Sequence, residues 1–585
     1  MTTDTNKLIN IDGKMFRRPE AWFGLFQRST SFDGSPVDAP LHLGTCRGAA
    51  TLAPDKNRLA DVFPTFGGEK LPFTIEARPA ELTLITERGN VRFSFADGAK
   101  LLAEGDPGMG LRFVKSMGQH ESVHRRKNGA WEVFFRLTCT FIFKGLNGSA
   151  FEFTNPDTGK APWDWAGLSS GNVLGETKPA PDGTFTLVME ESVFNGVVRD
   201  EYPTYADAKA SMQSAWDAFI GAMPAFTAPY EDARIDAEHT LWSFMLAPQG
   251  RIPSPQIQFF AGIIASQWQM CQNAVALMEH SDLALGLLQG PLDFIGREGQ
   301  LPDMYDEVTF ESQCTKPPMH GWALKLIMAK KDIIKECGRE KVEKLYTGLC
   351  KWADWWLTLR DEDGDGLPVV YHSDETGLDD CSLFTAYNTL VTPDIAAYLV
   401  LLLEANGDLA KSLGKPDGEY TAWYDKSKRT LDTLLNKLWD GKHFVGINPE
   451  TGEKLVSQSI LHYVPAVLGN RLPPEIIDKL ADELSDQTTF NSPWGLASEA
   501  MTSPLYAPIK FGLGCILPPM MLYICTGLWE THRRAAAKEF MEKYCSALAK
   551  SNIPFFIDAK NGSGIYYGSS WACCAYVTLA KMLSE

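Results

Sequence analysis

Residues 361–382 read DEDGDGLPVVYHSDETGLDDCS, directly after a tryptophan-rich stretch, Trp352-Ala353-Asp354-Trp355-Trp356, of helical composition. Asp361, Asp363 and Asp365, ahead of Gly366, have the spacing of the first half of a calcium loop, in which hard oxygen ligands two residues apart wrap one cation. The twelfth position is His372 rather than Glu, which excludes an EF-hand. An acidic turn that merely ends the helix fits the same residues. Farther on, Asp379 and Asp380 are adjacent carboxylates between Leu378 and Cys381. Apolar surroundings and mutual repulsion force two such groups apart in proton affinity, so one can stay protonated and serve as a general acid. A helix N-cap is the alternative, because Asp followed by Ser and a helix is an ordinary helix start.

On both sides of this stretch the pattern is helical. Apolar spacing and composition predict helices over 206–223, 233–246, 266–278, 321–335, 341–359, 393–404, 420–438, 474–484, 516–528, 535–548 and 570–583. Around ten helices in about 380 residues fit paired helical hairpins closed into a ring. No fixed-period repeat supports the rival α-solenoid. Upstream of about residue 202 the pattern is β. Leu82-Thr83-Leu84-Ile85, the turn Arg88-Gly89-Asn90 and Val91-Arg92-Phe93-Ser94-Phe95 alternate as a hairpin does. Further β-rich runs at 131–143 and 184–189, punctuated by Gly and Pro, suggest a sandwich. The expected architecture is α+β and multidomain: an N-terminal β-sandwich over 1–204, a linker helix over 205–230 and an (α/α)6 toroid over 231–585.

Composition narrows the function. A chain of 585 residues exceeds one ordinary core. With 44% hydrophobic and 22% charged residues it is globular rather than disordered, collagenous or coiled coil. The net charge of −18 repels phosphate backbones and anionic lipid, so nucleic-acid and membrane-surface partners are not expected. No secretory signal is visible at the N-terminus, and the longest apolar run, 514–529, is interrupted by Pro518 and Pro519. The 12 cysteines follow no framework spacing and no CxxC occurs, which points to free thiols in a reducing cytoplasm. P-loop and GxGxxG dinucleotide fingerprints are absent. The scattered histidines read as satisfied or exposed rather than metal-bound. Aromatic residues make up 11%, which suits sugar stacking and core packing alike.

The element Glu375-Thr376-Gly377-Leu378-Asp379-Asp380-Cys381-Ser382 resembles the ESGxDxS signature of six-hairpin toroid glycosidases, glycoside hydrolase families 63 and 37. These include processing α-glucosidases, trehalases and bacterial mannosylglycerate and glucosylglycerate hydrolases. Other segments are similar in the same order. Ala237-Glu238-His239-Thr240-Leu241-Trp242-Ser243 with Pro248-Gln249-Gly250 resembles the first helix of the bacterial branch. The stretch SQWQMCQNAVAL from Ser266 stands where that branch has SWDHCFNAxAL. Thr315-Lys316-Pro317-Pro318-Met319-His320-Gly321-Trp322-Ala323 is similar to KPPxxGWA. Gly495-Leu496-Ala497-Ser498-Glu499 and Pro518-Pro519-Met520 are similar to GLASE and WPPMxYL.

The resemblance implies a glycoside hydrolase in which Asp379 protonates the glycosidic oxygen. A second carboxylate across the sugar would activate water with inversion, at a separation of about 6.5–9.5 Å. Trp268, Gln269, Lys316, His320 and Trp322 become the candidates for holding sugar by stacking and convergent polar groups. Three positions depart from the family. Its Trp-Asp sugar clamp reads Trp268-Gln269, its YWRGP reads Lys510-Phe511-Gly512-Leu513-Gly514, and the Glu of its C-terminal ENYDxxTGEG strip falls on Phe555. Glu499, Asp380 and Asp558 are the carboxylates left as candidates for the base, with Asp558 also near the sugar strip. The implied substrate is a short α-glucoside or α-mannoside, no cofactor is required, a structural calcium at Asp361, Asp363 and Asp365 stays open, and so does a homo-oligomer. The altered positions also keep two alternatives in view: changed chemistry in the same pocket, such as elimination or an unusual modified glycoside, and an inactive carbohydrate-binding homologue.

Overall fold

Alternating apolar residues make strands of the described segments between Met15 and Ser192, and the computed structural model arranges them as two antiparallel eight-stranded sheets. It describes all residues except 1–3, 31–35, 48–57, 117–120, 136–138, 155–171, 193–198, 262–265 and 307–310. The first sheet runs Met15–Phe16, Phe23–Thr30, Pro36–Thr45, Arg58–Phe66, Met109–Ser116, Asn172–Lys178, Ala150–Thr154, with Glu69–Lys70 paired to Arg58–Phe66. The second runs Ser122–Arg125, Trp131–Phe135, Cys139–Leu146, Phe185–Ser192, Lys100–Gly105, Gly89–Asp97, Glu81–Thr86, Thr74–Arg78. The hairpin at 81–97 has the expected register, Leu82 opposite Phe93 and Leu84 opposite Val91. Phe23, Phe95, Phe113, Phe141, Phe143 and Phe151 interdigitate between the faces, mostly edge to face.

Helices then take over: α1 (Tyr205–Ile220), α2 (Glu231–Phe244), α3 (Gln267–Ala276), α4 (Ser281–Leu292), α5 (His320–Met328), α6 (Ile333–Cys337), α7 (Arg339–Leu359), α8 (Pro393–Ser412), α9 (Asp417–Thr433), a 3-10 segment (Ile460–Arg471), α10 (Pro474–Ser485), α11 (Pro518–Trp529), α12 (Arg534–Lys550) and α13 (Ser570–Ser584). Six of these form an inner ring. Neighbours pack in the order α3, α5, α8, the 3-10 segment, α11 and α13, and α13 closes back on α3. All ten residues of α3 and eleven of the twelve in α11 are buried, as helices enclosed on every side must be. Amphipathic α4, α7, α9, α10, α12 and α2 lie outside them. This is a β-sandwich followed by an (α/α)6 toroid.

Three expectations are corrected in detail. The helix expected over 321–335 is two, α5 and α6, because 329–332 turn before Asp332 caps the second. Helix α4 and the 3-10 segment were not anticipated. Gly286, Gly290 and Pro291 mask the first, while Pro465 and Gly469, whose φ is +55°, mask the second. All 12 cysteines are free. Among the described residues no helix is long and apolar enough to cross a membrane.

Candidate active site

Every inner element is preceded by a loop, and these loops meet at one mouth of the ring. One of the two longest, residues 361–392 between α7 and α8, is clamped at its root. Arg360 donates two parallel hydrogen bonds to Glu375, at 2.8 and 2.6 Å, and a third to the Val369 carbonyl at 3.1 Å. Its guanidinium lies 3.8 Å from the Tyr371 ring centroid, and both charges are almost fully buried. Removing one partner of such a pair costs about 3–5 kcal/mol, because the other is left charged in the interior. Glu375 is therefore a structural residue of the loop. Gly377 follows with φ +76°, and a Cβ there would stand 2.0 Å from Cη2 of Trp268. Only glycine meets both demands, so the turn ahead of Asp379 packs directly against the indole.

Asp379 and Asp380 are exposed at this mouth. Ser373 donates its hydroxyl to the Asp379 carbonyl, and Asp380 accepts from the Gly512 amide. The neighbourhood of Asp379 was only partly visible in the sequence. Lys316, nearly buried ahead of α5, donates to the Asp374 carbonyl at 2.7 Å, forms an ion pair with the Asp374 carboxylate and lies 3.5 Å from Asp303. Asp303 also accepts from Ser266 at 2.6 Å, and Gln267 ties the loops together by donating to the Lys316 carbonyl at 2.9 Å. The carboxyls of Asp374 and Asp379 hydrogen-bond to each other.

This arrangement separates the carboxyls in proton affinity. Surrounding protein desolvates Asp379 despite its exposure, and the charges of Asp374 and Asp380 add to that. Lys316 opposes them, and the balance pushes Asp379 up to about 7. Burial would raise Asp374 too, but contact with Lys316 overrides it and holds that carboxyl down at about 2. Burial disfavours the Lys316 ammonium, yet Asp303, Asp374 and Asp379 outweigh it, so it stays charged. Between the two carboxyl values, up to about pH 7, the pair carries one proton, on Asp379.

The other candidates fall into three groups. Glu499 is buried beneath the loop, accepting from Ser382 at 2.7 Å and Ser503 at 2.6 Å, with its proton affinity raised by burial. Asp558 is buried and spends its carboxylate on the amides of Lys560 and Asn561, at 2.7 and 3.3 Å, in the turn between strands Pro554–Ile557 and Gly564–Tyr567. Phe555, at the family's base position, lies in an aromatic cluster with Phe259, Phe260, Phe511, Phe556 and Trp571. Trp268 is buried edge-on against Trp571 at 4.8 Å, a support for the loop rather than an open platform. Gln269 turns back to its own helix start, closing a capping box with Ser266.

Two sugar-holding candidates point elsewhere and are corrected. His320 is fully buried, with Nε2 3.2 Å from the Leu288 carbonyl, and burial lowers its pKa to about 4. It is a neutral core imidazole rather than a proton or anion partner. Trp322, in the first turn of α5, donates to Thr526 at 3.0 Å and packs edge-on to Tyr523. It lines a cavity of about 430 Å³ with Lys325, Asp408, Lys411, Arg471 and Glu530, at the C-terminal ends of α5, α8 and α11 and thus at the opposite mouth.

Asp361, Asp363 and Asp365 offer oxygens within 4.8 Å of one another. Asp361 Oδ1 is buried without a protein partner, which suits a cation. The Lys437 ammonium, paired with Asp365 and 4.0 Å from Asp363, already supplies one positive charge.

Comparison with known proteins bears on the fold and the domain class. Residues 287–565 match the model of the mannosylglycerate hydrolase MGH1-like glycoside hydrolase domain. No curated protein matches the chain in sequence. Among solved structures, a GH63 mannosylglycerate hydrolase from Thermus thermophilus in complex with Tris is similar at TM-score 0.52 and 16% identity, over 59% of this chain and 99% of that one. An uncharacterized conserved protein from the same organism is similar at TM-score 0.52 and 18% identity, with the same coverage. The mannosylglycerate hydrolase with Tris and D-glycerate gives TM-score 0.52 at 17%, again over 59% and 99%. At such identities the likeness speaks to fold, and the domain match carries the chemistry. Residues 287–565 thus match a glycoside hydrolase domain, and that match together with the six-hairpin ring supports a glycosidase.

Proposed function

We propose that the protein hydrolyses a short α-mannoside or α-glucoside, with an α-glycosyl glycerate as the first substrate to try, and that Asp379 is the general acid. The observation that carries this reading is a carboxyl at the ring's mouth that keeps its proton to about pH 7, beside a carboxylate that does not. A general acid works best when its pKa lies near the operating pH, and such groups contribute about 10²- to 10⁴-fold. The proton passes to the glycosidic oxygen as the bond to the anomeric carbon breaks. Water then adds at that carbon. Of the three base candidates, Glu499 and Asp558 are buried, whereas Asp380 is exposed. Asp380 is accordingly the first candidate for activating the water, with inversion.

The aromatic surroundings of Phe555 favour a second reading, in which the same acid serves altered chemistry such as elimination, or acts on an unusual glycoside. One experiment separates them. A panel of glycosyl glycerates and disaccharides is incubated in ¹⁸O-water and the products are weighed. Label at the anomeric carbon supports hydrolysis, an unsaturated unlabelled product supports elimination, and no product from any member at high enzyme contradicts both.

A further inference from the structure

We infer that Asp374, paired with Lys316 and hydrogen-bonded to Asp379, is the positioning residue that keeps the proton on Asp379 and aims its carboxyl. This rests on the reading of Asp379 as the acid. Three carboxyls, Asp303, Asp374 and Asp379, share one ammonium. Lys316 touches Asp374 directly and approaches Asp303 to 3.5 Å, while Asp303 also takes the Ser266 hydroxyl. Asp379 is hydrogen-bonded to Asp374 and feels Lys316 only through space. Ionising it would set a third negative charge against a carboxylate whose counter-ion is already engaged, so the shared proton belongs on Asp379. The other ionisable groups facing the trio do not reverse this. Asp380 on the same loop is acidic, as is Glu311 from the segment ahead of α5. The Cys314 thiol, 3.2 Å from Asp374, is kept neutral by burial.

The geometry also suits a catalytic cycle. While Asp379 carries its proton, Asp374 accepts the hydrogen bond and fixes the plane of the carboxyl. Once the proton has gone to the departing alcohol, two adjacent carboxylates repel, which draws a proton back from solvent. Asp374 itself touches no reacting atom in this scheme.

The test reads protonation without any substrate. Infrared difference spectra of wild type against Asp379→Asn, across a pH series, isolate the protonated-carboxyl stretch of Asp379. The expected result is a band that persists to about pH 7 in wild type and is lost at least one pH unit lower in Asp374→Asn. Asp374→Ser, which also removes the charge, gives the same result if the asparagine variant folds poorly. An unchanged titration in either folded variant overturns the proposal. Kinetics with α-mannosyl glycerate add a second readout: the basic limb of kcat/KM moves down with the titration, about a fivefold or greater loss at pH 7 and less than threefold at pH 5. A uniform loss at every pH marks a merely structural role and also overturns the proposal. If no glycoside is cleaved but the band moves as expected, the proposed substrate class fails and the role of Asp374 stands.

Discussion

Replacing Gly377 with alanine asks whether the acid-bearing loop is seated on Trp268 as described. Two costs follow from the structure. A φ of +76° places an alanine in the left-handed region, at about 1–2 kcal/mol. The new Cβ would lie 2.0 Å from Cη2 and 2.1 Å from Cζ3 of a tryptophan that is itself locked against Trp571. Overpacking of that kind costs a further ~1–3 kcal/mol. The smaller entropy of the unfolded alanine chain returns about 0.4–1 kcal/mol. The sum is a net loss of about 1–5 kcal/mol. Gly364, in the same loop with φ +70° and nothing within 4 Å of its would-be Cβ, provides the control, since it should show the backbone cost alone. Urea unfolding followed by tryptophan fluorescence compares the two variants, and Gly377→Ala should be the worse by ~1–3 kcal/mol. Adding Trp268→Leu to Gly377→Ala should recover part of the difference, because the clash is removed. Equal losses for the two glycines would refute the docking of the loop on the indole.

Other outcomes follow from the same geometry. Glu375→Gln strands the buried Arg360 guanidinium and should destabilise the fold by about 3–5 kcal/mol in urea melts, whatever its effect on substrate. Asp394 is fully buried and its carboxyl is pushed up to about 7, chiefly by burial. The folded protein then binds more protons than the unfolded chain between about pH 4 and 7, so stability falls as pH rises through that window, and Asp394→Asn should flatten the fall in melts taken across it. At the acidic turn, Lys437→Met removes the resident positive charge, and added calcium should raise the melting temperature of that variant more than that of wild type.

Much of this was legible from local chemistry. The 81–97 hairpin announced itself by strict alternation around Gly89, and α7 by its stripe of Val342, Leu345, Leu349, Trp352 and Trp356. The 3-10 segment was not legible, because its place in the ring comes from packing against α8 and α11 rather than from local propensity. At the mouth, paired carboxylates in a glycine-containing turn marked Asp379 and Asp380 at once. Asp374 and Asp303 were missed, since neither has a motif and each matters only because the ring brings Lys316 beside it. His320 and Trp322 misled for the opposite reason. They follow Lys316 by four and six residues, but α5 starts at His320, so the helix carries their side chains into the core and towards the other mouth.

The central claim is that Asp379 gives its proton to the leaving group. It is tested most directly by comparing wild type and Asp379→Asn on two glycosides of the same sugar, one with an ordinary alcohol as leaving group and one with dinitrophenol, which departs without protonation. The account predicts that the substitution slows the first by at least about 10²-fold while the second is cleaved nearly as fast as by wild type. Equal losses on both substrates, or none on either, would contradict it.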